Sequence, residues 1–213
     1  VLSLDVFLSL IPWKDNNEKI ILITLTAIIA ACSAPTHNDI KTDNSSIESN
    51  SASDGKNQAN SFTNIYAFTC LKYLNNLDDL RNKLKQAPTL PPEKAQYFLA
   101  GHDGDAWPVP DKHGIFVLVI FKEKDFCAVH ARGADTEEVN KQFDRIVATA
   151  PYPLTAKQVQ NEKRHTTANG LTQTIAYEWS IPDAPVKMLF TLSTASSENA
   201  NIQALASAGI ISK

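Results

Sequence analysis

The chain is 213 residues long, 43% hydrophobic, with a net charge of −3 from 20 Lys and Arg against 23 Asp and Glu. Acidic and basic residues are mixed, there is no basic block and the pI is near 6.0, which excludes nucleic acid as a partner on electrostatic grounds. Apolar residues gather at the N-terminus and again after residue 62, dividing the chain into segments 1–31, 32–61 and a single folded domain, 62–213.

From Ile20 to Ala31 an apolar run follows Lys14 and Lys19 and leads into Cys32-Ser33. It falls short of the roughly 20 residues that span a bilayer and has the build of a signal peptide's hydrophobic region, so that 1–31 is removed. Ile29-Ala30-Ala31-Cys32 resembles the lipobox of bacterial lipoproteins. That resemblance implies an acylated Cys32 as the first mature residue and attachment to a membrane through it. Ser33, in place of Asp, resembles the sorting pattern for the outer membrane. The apolar stretch from Val1 to Trp13, the acids Asp15 and Glu18, and the lack of a Met before Met188 depart from the pattern, and a mis-called start accounts for all three. Residues 32–61 then read as a disordered tether, too poor in apolar side chains to offset chain entropy, with a reach of roughly 30 Å.

The domain opens with Phe62, Ile65, Tyr66, Thr69, Cys70, Tyr73 and Leu74 at three- and four-residue spacing, one face of a helix. Leu77, Leu80 and Leu84 continue the period to Pro88, as a second helix or a bend of the first. Pro91-Pro92 begins a short helix, Glu93 to Leu99, that Gly101 stops. A polar loop, Gly101 to Trp107, precedes Ile115 to Phe121, whose unbroken apolar character predicts a central strand. Phe126 to Ala131 returns antiparallel to it. Asp135 with Glu138 caps a helix carrying Val139, Phe143, Ile146 and Val147. A polar edge strand, Gln158 to Thr167, turns at Asn169-Gly170 into Leu171–Ile181, and Val186–Leu192 follows. A short helix near Ala200 to Ala208 finishes the chain.

This order predicts an α+β fold, a five-stranded antiparallel sheet (β-β-α-β-β-β) with the N-terminal helices packed on it. It resembles the profilin-like and PAS-like class, in which the first strand is central. Cys70-Leu71, Leu80-Arg81, Gly101-x-x-Gly104-x-x-Trp107 and Phe126-Cys127-x-Val129 are similar to an uncharacterised family of Gram-negative envelope lipoproteins of the neisserial type. That similarity implies location and domain extent, and carries over no catalytic residue.

With Cys32 consumed by lipid, Cys70 and Cys127 are the disulfide pair of an oxidising compartment. The alternative makes Cys127 a nucleophile with His130 or His102 as base, a Cys/His hydrolase. Strand alternation points Cys127 and His130 to opposite faces, against that reading. His102, Asp103 and Asp105, with His113 nearby, lack the fixed spacing of a ligand set, so no metal and no cofactor is assigned. Those three with Trp107 form instead a candidate partner-binding loop, with a tryptophan folded back onto the core as the alternative reading of Trp107. The expectation is a lipid-anchored, non-enzymatic module that binds another envelope protein, with a PAS-like small-ligand sensor as the alternative. A pocket beside Phe126, Tyr177 and Phe190 would mark the sensor.

Overall fold

The computed structural model describes residues 45–212 except 168, with side chains from residue 53 onward. The signal segment and Cys32 lie outside the described residues. Helix α1 (Ser45–Tyr66) runs into a π-helical turn (Ala67–Leu71), followed by α2 (Leu77–Leu84) and α3 (Pro92–Leu99). Three strands follow, β1 (Gly104–Val109), β2 (Ile115–Phe121) and β3 (Phe126–Arg132), then α4 (Thr136–Val147). Four more strands complete the domain: β4 (Thr155–Thr166), β5 (Gly170–Ser180), β6 (Val186–Ala195) and β7 (Ala204–Ser212).

The sheet is antiparallel throughout and has seven strands in the order β1-β2-β3-β7-β6-β5-β4. The α+β class holds, and the five-strand count is corrected by two strands. The polar loop is β1 from Gly104 on. The segment expected to end in a helix is β7, where Ala204, Ala206 and Ala208 alternate inward, each fully buried. Alanine favours helix in isolation, but here β7 lies between β3 and β6, and the buried phenol of Tyr66 donates to the Ser207 carbonyl at 2.9 Å. Small side chains permit that close approach, and tertiary packing overrides propensity. The two halves of the sheet are joined by β3 and β7, not by β2.

Helix α1 starts at Ser45, so 45–61, read above as tether, is helical. Its last turns are fixed to the domain. Ala59 is fully buried, the Asp135 N–H donates to the Gly55 carbonyl at 3.3 Å, and Gln142 donates to Asn60 at 2.6 Å.

Phe62, Tyr66, Cys70 and Leu74, four residues apart, are all buried. Four residues of α-helix overshoot a full turn by about 40°, and the wider π turn absorbs the drift, keeping Cys70 and Leu74 inward. Phe68 is turned out, 68% exposed.

One face of the sheet carries the main core, where α1, the π turn, α2 and α4 cover Trp107, Leu118, Ile120, Val129, Trp179 and Phe190 among others. The other face carries a smaller core. There α3 brings Ala95 and Leu99 onto Ala106, Val117, Val119, Phe121 and Ala128. The pairing places Thr174 beside Ser193, and Thr191 between Ala176 and Ser207, a hydroxyl-rich stretch of β5–β7 in which Thr191 and Ser193 are buried. Thr174 and Ser193 share a hydrogen bond at 3.2 Å.

Candidate functional site

Cys70 in the π turn and Cys127 on β3 are joined, with Cα atoms 5.2 Å apart, and both are fully buried. The thiolate that a hydrolase would use is therefore held in the bond. His130 lies on the other face of β3, buried, with its ring edge-on to Phe98 of α3 at 5.2 Å and its Nδ1 without a hydrogen-bond partner.

Burial alone pushes the His130 pKa down to about 4. Val117 and Leu205 face it from β2 and β7, and Phe98 from α3; Arg132, two residues on, is the charged side chain of its own strand. Because the folded-state pKa lies below that of the unfolded chain, the unfolded state binds the extra proton between about pH 6.5 and 4. Stability therefore falls as pH drops through that window, by about 3 kcal/mol for this one group. Urea unfolding of wild type and His130→Leu at pH 7 and pH 4 checks this: the variant should lose about 3 kcal/mol less, and equal losses would refute it.

The structure disperses the loop of His102, Asp103, Asp105 and Trp107. Helix α3 ends on Ala100 at φ +48 and Gly101 at φ +83, and the His102 N–H closes the turn on the Leu99 carbonyl at 2.9 Å. The His102 ring lies against Phe121 at 4.5 Å, and partial burial, then the charge of Lys124, lowers its pKa and keeps it neutral. Asp103 accepts from Lys122 at 3.1 Å, which raises the lysine's pKa. Trp107 is 5% exposed and belongs to the main core, as in the reading that folds the indole back onto the core, and not as a partner contact. Strand alternation explains it. Ala106 faces α3, so Trp107 must face the helices opposite.

What these elements do build is a cleft of about 400 Å3 between α3 and β1. The chain forms this open cleft by folding back along the edge of the sheet. The Leu90 N–H donates to the Ala106 carbonyl at 2.8 Å, on the outer edge of β1, and α3 with its C-terminal turn forms the remaining wall. Leu90, Pro92, Ala95, Leu99 and Ala106 supply the apolar lining, with Thr89, Gln96 and His102 at polar positions. Phe126 packs against the smaller core, on the opposite face of the sheet from Tyr177 and Phe190. Tyr177 and Phe190 belong to the main core, whereas Phe126 stacks on Phe121 at 4.5 Å.

A second feature lies at the ends of β4, β5 and β6. Tyr152, between Pro151 and Pro153, is 98% exposed, and Ile181 and Val186 are each 45% exposed. Thr155 pairs with Ser180, and Trp179 with Met188, so the three side chains stand on neighbouring loops at one end of the sheet. Pro182 and Pro185 frame the second loop, and all four prolines are exposed. The signal was present in the sequence as an aromatic between two prolines beside a second proline-bounded turn.

No known family's sequence pattern matches the chain, and neither a curated protein nor a solved structure does so.

Proposed function

We propose that this chain is a lipoprotein of the Gram-negative outer membrane, anchored through an acylated Cys32, whose domain is a non-enzymatic module that binds another envelope protein. The address rests on Lys14, Lys19, the apolar run and Ile29-Ala30-Ala31-Cys32. The observation that carries the binding role is the proline-framed apolar end with Tyr152, Ile181 and Val186. Large exposed apolar side chains gathered on rigid loops lose little entropy on docking, and tyrosine is a preferred anchor.

One feature favours a protein over a bilayer at this end. The charges on the second loop and the adjoining strand ends, Lys157, Glu178, Asp183 and Lys187, sum to zero, with Lys187 paired to Glu178 at 2.5 Å, so there is no net attraction to anionic lipid. Both sheet edges are guarded against strand addition. Pro108 and the Leu90 bridge block β1; a register shift at Gln158/Gln160 and the charges Lys163 and Arg164 protect β4.

A photocrosslinking residue at position 152 in living cells should give a discrete adduct that Ile181→Ser weakens about tenfold, and none at exposed Phe68. Equal adducts at 152 and 68 would refute the role.

A further inference from the structure

The α3–β1 cleft is independent of the Tyr152 end and of the lipid anchor, and it has the features of a built site. Its wall is chain that the fold holds in place at both ends. The Leu90 to Ala106 hydrogen bond fixes the entry, and the Ala100-Gly101 left-handed turn fixes the exit into β1. Gly104 at the base admits nothing larger, because a Cβ there would meet the Ile120 carbonyl at 2.6 Å and Leu99 at 2.7 Å. Ala95 leaves space where another helical residue would fill it. The cleft volume, about 400 Å3, lies at the lower end of the range for small-molecule sites.

The lining selects by charge. Thr89, Gln96 and His102 are its polar side chains, and all three are neutral near pH 7. Asp105 lines it as well, but strand alternation turns its carboxylate toward the face of Trp107, and Asp103 is engaged by Lys122. A charged ligand would lose its hydration without gaining a counterion. An added peptide strand is also disfavoured, since Leu90 already occupies the Ala106 carbonyl and Pro108 has no N–H to offer.

We infer that the cleft between α3 and β1 is a binding site for an uncharged, apolar small molecule of aromatic size, held on Leu90, Ala95, Leu99 and Ala106 and oriented by a hydrogen bond to Gln96. The ligand enters at the edge of the sheet as a free molecule.

The test uses N-phenyl-1-naphthylamine, an uncharged aromatic amine, against its anionic relative 1-anilinonaphthalene-8-sulfonate, with the protein from residue 33 onward. The amine should bind at one saturable site, about tenfold more tightly than the sulfonate, and Ala95→Leu, which fills the cleft, should weaken it about tenfold. In the wild-type protein the backbone amide resonances of Ala95, Gln96, His102 and Ala106 should move on titration, a readout that does not depend on the variant folding. No saturable binding, equal affinity for the sulfonate, or resonance shifts confined to other residues would each overturn the assignment.

Discussion

Removal of the Cys70–Cys127 bond, by reduction or by the double substitution Cys70→Ser/Cys127→Ser, is expected to lower domain stability by about 4 kcal/mol. The two cysteines are 57 residues apart, and opening a loop of that length returns this much chain entropy to the unfolded state. The loss is a large part of the roughly 5–15 kcal/mol typical of a domain, and should lower the melting temperature by about 10 °C. The bond also ties the π turn to β3, the strand at which the two halves of the sheet meet. Loss of amide-exchange protection should therefore be greatest at Ala67–Leu71. Melting of the oxidised and reduced domain checks the first point, and an unchanged midpoint would contradict it.

Trp107→Ala should destabilise the domain by about 3–5 kcal/mol, the usual cost of emptying a buried tryptophan site. The indole is on the helix-covered face of edge strand β1, where it belongs to the same core as Leu118, Phe116 and α2's Leu80. Urea unfolding measures the loss. A change below about 1 kcal/mol would show that Trp107 lies on the surface and would restore it as an anchor. The contrast with Tyr152, which is 98% exposed, is direct: Tyr152→Ser should leave stability within about 0.5 kcal/mol of wild type.

Local signals in the sequence were read well where they act locally. Asp135 accepts from the N–H groups of Glu137 and Glu138, as its spacing to Glu138 requires. Asn169-Gly170 forms the β4–β5 corner, with Gly170 at φ +68. Pro92 stands in the first turn of α3, and the disulfide joins the two cysteines expected of it. The sequence was less legible where conformation is imposed from a distance. Ala204 to Ala208 looks helical by composition and becomes a strand because β3 and β6 lie on either side. Gly104 to Val109 has too little alternation to announce an edge strand; β2 supplies its register. Residues 45–61 have few apolar side chains of their own, and their last turns are held by Asp135 and Gln142, far along the chain.

The candidate site follows the same division. A polar loop with His102, Asp103 and Asp105 was visible, but Asp103 is paired with Lys122 and His102 packs on Phe121. The cleft beside them depends on where the Leu90 segment crosses β1, a long-range contact that spacing does not encode.

We propose that this domain works while held at the outer membrane by lipid on Cys32. The most direct test is the partition of Cys32→Ala expressed in a Gram-negative cell, with the wild-type protein as the comparison. Wild type should be found in the membrane fraction with a mass increased by acylation, and the variant in the soluble fraction without it. A variant that stays with the membrane, or a wild type that carries no acyl chain, would rule out the lipid anchor.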